Sequence, residues 1–123
     1  MDEDLPADFL FGCRNLYLMS IHPFDFDKID SKEYQGIIAV AKKHITKFGV
    51  TNFAGFTAES QYRVYVWAAY LTLKLENNNP AILSFLNKGI TIKEHCTEVV
   101  SRREIPPLTD RINQNKKDFI SNL

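Results

Sequence analysis

The chain has 123 residues, 45% of them apolar and 12% aromatic, which is enough for one domain, spanning 1–123, that builds a core without disulfides or metals. Fifteen basic residues balance fifteen acidic ones, so no overall charge argues for nucleic acid, an anionic membrane or an acidic substrate. Cys13 and Cys96 stand 83 residues apart with no paired-thiol motif, and free thiols in a reducing, cytoplasmic compartment are expected.

The opening Met1-Asp2-Glu3-Asp4 has the wrong sign for a secretion leader, and Asp8, Arg14 and Asn15 interrupt the apolar run behind it before it reaches membrane-spanning length. A first helix is expected over residues 6–20, with Pro6 near its first turn. Phe9, Cys13, Leu16 and Tyr17 lie on one side of it, Leu10, Phe11 and Leu18 widen the apolar surface, and the polar face is thin. Pro23 then breaks the helical pattern, and Phe24 and Phe26 should pin the loop to the body.

Asp30 followed by Glu33 has the spacing of a capping box and predicts the start of a second helix. Its face carries Tyr34, Ile37, Ile38, Ala41, His44, Ile45 and Phe48, and Gly49 ends it. Residues 50–56 are expected as a connection whose Phe53 and Phe56 fold back as plugs. Thr57 should cap the longest helix, 58–76, which is apolar on two sides and therefore central. Only Glu59, Arg63, Tyr70 and Lys74 form a stripe suited to solvent.

Asn79 and Pro80 predict a short helix running to Gly89, and Thr91 with Glu94 repeats the capping spacing ahead of Ile92, Cys96, Val99 and Val100. Pro106-Pro107 closes that helix, and a weakly apolar last helix follows over about 109–121. With no sustained period-two alternation, the expected fold is all-α, a compact irregular bundle of five to six unequal helices around the segment 58–76.

Chemistry has few footholds. His22, Asp25 and Asp27 form the sharpest metal or small-hydrolase grouping, against which Asp25 or Asp27 organising a turn is the simpler expectation. His44 belongs to a packed helix face. His95 and Cys96 are successive residues, about 100° apart around a helix, and do not meet as base and thiolate. No Gly-x-Ser-x-Gly elbow or glycine-rich phosphate loop occurs among the five glycines. No catalytic residue, metal or cofactor is therefore assigned.

Two binding surfaces remain. Residues 1–33 hold eight acids and three bases, a net of minus five, and the other ninety residues hold seven acids and twelve bases, a net of plus five. The expected function is a non-enzymatic protein-binding or regulatory module, of the kind that inhibits or confers immunity to a basic protein stoichiometrically. Asp25, Asp27, Asp30 and Glu33 would recruit the partner electrostatically and Tyr70 would make contact. The alternative is a small nucleic-acid regulator in which Arg102, Arg103, Lys116 and Lys117 touch phosphates.

Overall fold

In a computed structural model of the chain, which describes residues 4–76, 85, 88–102 and 110–123, the fold is all-α. Six unequal helices form a compact bundle among the described residues: α1 (Leu5–Leu18), α2 (Lys32–Phe48), α3 (Val50–Ala54), α4 (Val64–Glu76), α5 (Ile92–Arg102) and α6 (Asp110–Ser121). Short 3-10 turns cover Phe26–Lys28, Gly55–Ala58 and Gln61–Arg63.

The central helix is central as expected. Val66, Trp67, Ala68, Ala69, Tyr70, Leu71, Thr72 and Leu73 on α4 are all buried, and α4 packs against α1, α2, α3 and α5. Trp67 alone makes α4 costly to disturb, since truncating a buried tryptophan to alanine removes about 3–5 kcal/mol. Phe53 is fully buried beside Phe9, their ring centroids 4.9 Å apart, so the expected plug forms, although on a one-turn helix where a connection was anticipated.

Three local expectations are corrected. The helix expected over 58–76 starts at Val64 and, at 13 residues, is shorter than the 17-residue α2, because Tyr62 (φ 53°) and Arg63 (φ 58°) both adopt left-handed backbone, which cannot continue a right-handed helix. Thr57 does not cap it: its hydroxyl donates to the Ala54 carbonyl at 2.8 Å. The cap of α2 is Ser31, whose Oγ accepts from the Tyr34 amide at 3.2 Å. That one-residue shift removes the reciprocal box between Asp30 and Glu33.

The cap of α5 forms where the spacing put it, with Thr91 Oγ1 accepting from the Glu94 amide at 3.0 Å. Asp4 caps α1 in the same manner, accepting from the Ala7 amide at 3.2 Å. The expected helix from Asn79 and the stop at Pro106-Pro107 fall outside the described residues. α6 is held to the body by Phe119, 4.9 Å from the Tyr70 ring, and by Asn115, whose amide donates to the Phe24 carbonyl at 2.7 Å.

Candidate functional site

α1 buries Leu5, Phe9, Cys13 and Leu16 against the bundle. At 100° per residue, Leu10, Phe11, Arg14, Tyr17 and Leu18 occupy a separate arc about 120° wide on the outer side. That arc is apolar except for Arg14. Phe11 and Leu18 are each 61% exposed, Tyr17 44% and Leu10 37%, and Met19 extends the surface past the last turn at 50%.

The left-handed pair at 62 and 63 completes this surface. Tyr62, 39% exposed, stands edge-on to Tyr17 with ring centroids 5.5 Å apart. The Arg63 guanidinium lies over the opposite partner of that pair, 5.0 Å from the Tyr17 centroid. Backbone strain of order 1–3 kcal/mol at such residues persists only where surrounding contacts hold it, and here the tyrosine and arginine contacts to α1 do so. Between α1 and this segment runs a groove of about 200 Å³ lined by Leu10, Phe11, Arg14, Glu59, Gln61, Tyr62 and Val64. Leu10 and Glu59 also border a second, larger depression of about 400 Å³ with Pro6, His44, Asn52, Gly55 and Phe56, so the two adjoin along the outside of α1.

The acidic recruitment site does not assemble as expected. Asp25 is only 7% exposed, and its carboxylate accepts from the His22 amide at 3.0 Å. Burial and this turn-forming bond remove it from a recognition surface. Tyr70 is 1% exposed, covered by Phe24, Phe26 and Phe119, and it too is withdrawn as a contact residue. Asp27 and Asp30 are exposed and Glu33 is half-buried at the start of α2.

The histidines serve packing. His22 is buried, and its Nδ1 accepts from the Phe24 amide at 3.1 Å, so the ring and Asp25 build a tight turn instead of an open cleft. His44 is buried with Nε2 2.7 Å from Asn52 Oδ1. His95 stacks on Phe85 at 4.2 Å and reaches Thr57 Oγ1 at 2.8 Å, which points its chemistry away from Cys96. Burial pushes the Cys96 thiol up to about 12, only partly offset by the neighbouring Thr72 side chain, and burial raises the Cys13 thiol as well. Both sulfurs stay protonated and unreactive at neutral pH. Among the described residues, no three His, Cys, Asp or Glu side chains gather as a metal shell.

The expected phosphate contacts lie on α5 and α6 and in the segment between them. Arg102 is engaged with Glu98 at 2.8 Å, Arg103 lies outside the described residues, and Lys116 and Lys117 stand on α6. Among the described residues, no helix is long and apolar enough to cross a membrane.

The outer face of α1 was not singled out by sequence reasoning, although its signal was present in the surplus of apolar residues on that helix. Comparison with family models, curated proteins and solved structures finds no match.

Proposed function

We propose that the chain is a non-enzymatic protein-recognition module that docks through the outer face of α1 and the adjoining segment 59–64. The observation that carries this reading is the exposure of Leu10, Phe11, Tyr17, Leu18 and Met19 on one helix. Contiguous apolar patches of several hundred Å² are uncommon on surfaces that remain in water, and they mark places where another molecule sits. Tyr17, Tyr62 and Arg14 add the residue types that dominate binding energy at such places.

Regulation follows by occlusion: a stoichiometric partner covered by this face loses access to its own substrate with no chemistry performed here. Asp27, Asp30 and Glu33 supply steering toward a basic partner, a contribution to association rate that salt screens.

The test is a paired substitution in the full chain, Phe11→Asp with Leu18→Asp, followed by co-purification from the source cells and titration of the recovered partner. Loss of the partner, with affinity down at least about tenfold and the helical spectrum unchanged, is the expected result. Unchanged affinity would overturn the assignment of this face.

A further inference from the structure

We infer that Phe24, Phe26 and Tyr70 form a helix-binding groove whose resident occupant is α6, and that a basic amphipathic helix of a protein partner takes the place of α6 there. The groove shares no residue with the outer face of α1 and extends the recognition role to a second surface.

α6 shows what the groove accepts. Asn115, Lys116, Phe119 and Ile120 fall on one side of the helix and are half-buried, while Gln114, Lys117, Asp118 and Ser121 are exposed. The Phe119 ring lies 4.9 Å from Tyr70, 6.0 Å from Phe24 and 6.4 Å from Phe26. One turn earlier, the Asn115 amide donates to the Phe24 carbonyl at 2.7 Å. A covered backbone carbonyl requires a donor, so any helix that replaces α6 has to bring one a turn ahead of its aromatic ring.

The bonds that shape the floor lie outside α6. The Phe24 amide donates to His22 Nδ1 at 3.1 Å, and the Asp25 carboxylate accepts from the His22 amide at 3.0 Å. The Tyr34 hydroxyl fixes Pro23 to α2, and the phenols of Tyr34 and Tyr70 are hydrogen-bonded to each other. The groove is therefore formed before a helix enters it.

α6, in contrast, is lightly held. None of its described side chains is fully buried, whereas its neighbour α5 buries Ile92, Cys96 and Val100. An element with so little buried apolar surface opens at lower cost than the core beneath it.

Charge sets the class of partner. The loop that carries the two phenylalanines is net acidic, with Asp25, Asp27 and Asp30 against Lys28, and α6 places Lys116 and Lys117 directly after the asparagine that bonds Phe24. A replacement helix with lysine or arginine at those positions meets the same acidic rim, and an acidic helix is repelled.

The probe is a fluorescein-labelled peptide with the sequence of residues 110–123, titrated by anisotropy into the full chain. Asn115→Ala with Phe119→Ala in the full chain loosens the resident helix and leaves the floor intact, and this variant should bind the peptide at least about tenfold more tightly than the wild type does. A peptide carrying the same two alanines, or Lys116→Glu with Lys117→Glu, should lose at least about tenfold in affinity. Hydrogen exchange of the wild type needs no variant: the α6 amides should exchange at least about a hundredfold faster than those of α4. Exchange of α6 as slow as that of α4 overturns the inference, because the resident helix then never leaves. A folded double variant that binds no peptide, or binds the alanine peptide equally well, overturns the groove, and undiminished binding of the glutamate peptide overturns the basic partner.

Discussion

The hydroxyl of Tyr34 on α2 donates to the carbonyl of Pro23, eleven residues earlier, and both groups are buried. The same phenol is hydrogen-bonded to the hydroxyl of Tyr70, and its ring stands edge-on to Trp67 at 5.1 Å. One side chain thus ties the proline-broken loop to the central helix. Burial raises both phenols above their ordinary range, so each remains a neutral donor. Tyr34→Phe keeps the ring but leaves a carbonyl and a hydroxyl without this partner, each loss worth about 1–3 kcal/mol when the group stays dry. Urea unfolding should show stability lowered by that order, read as a lower midpoint at constant slope; an unchanged midpoint would mean that water reaches Pro23.

His95 makes stability depend on pH. Burial lowers its pKa below 6.5, the nearby Lys88 lowers it further, and Glu98 opposes both. With the folded value below the unfolded one, the unfolded chain binds more protons in the interval between them. The contribution from His95 is therefore fully present above about pH 6.5 and is lost as pH falls from there through the folded value. Thermal unfolding between pH 7.5 and pH 5 should show a falling midpoint, with a smaller fall for His95→Gln. Equal slopes for the two proteins would remove His95 as the cause.

Local spacing was a sufficient guide at the start of α5, although the same reasoning misplaced the caps at Asp30 and Thr57. Thr91 caps α5 because its hydroxyl stands three residues before the Glu94 amide at the place where the helix begins. Tyr70 shows the opposite case. Its place between charged residues suggests solvent, but its cover arrives from Phe119, 49 positions later, and from Phe24 and Phe26. Periodicity within one helix carries no information about such a lid. The left-handed turn at Tyr62 and Arg63 was also hidden, since neither residue is the glycine that ordinarily announces positive φ. Both α1 and α4 are apolar on two sides, and only tertiary packing decides which second side is buried. On α4 it is buried; on α1 it is left open, and the exposed apolar face of α1 is the result.

Ser20 is the residue where α1 can be made more stable. The Ser20 amide donates to the Tyr17 carbonyl at 3.0 Å and the Ile21 amide to the Leu16 carbonyl at 2.9 Å, the paired bonds of a Schellman ending. Ser20 occupies its left-handed position at φ 59° and is exposed. A side chain there costs about 1–2 kcal/mol that glycine avoids, partly offset by the greater freedom glycine gives the unfolded chain. Ser20→Gly should raise stability by about 0.5–1 kcal/mol, read as a thermal midpoint higher by a few degrees, and a lower midpoint would show that the serine side chain has a contact worth more than the strain.

Gly12 sets how closely α1 approaches α2. A Cβ placed there would lie 2.6 Å from Cδ1 of Ile37 but an ordinary 3.8 Å from its Cγ1, and Ile37 is 2% exposed, so its terminal methyl has little room to yield. Gly12→Ala sets a helix-propensity gain of about 1 kcal/mol against an overpacking cost of about 1–3 kcal/mol, and a net loss is expected. Ile37→Val removes the obstructing methyl at a cost of about 0.5–1.5 kcal/mol. With the obstruction gone, only the propensity gain remains, and Gly12→Ala should stabilise the Ile37→Val background. The sign reversal is the measurement: a double-mutant cycle in urea should give a coupling of at least about 1 kcal/mol. Additive effects would mean that α1 and α2 separate to admit the methyl, and that the close helix contact is not what holds Gly12 in place.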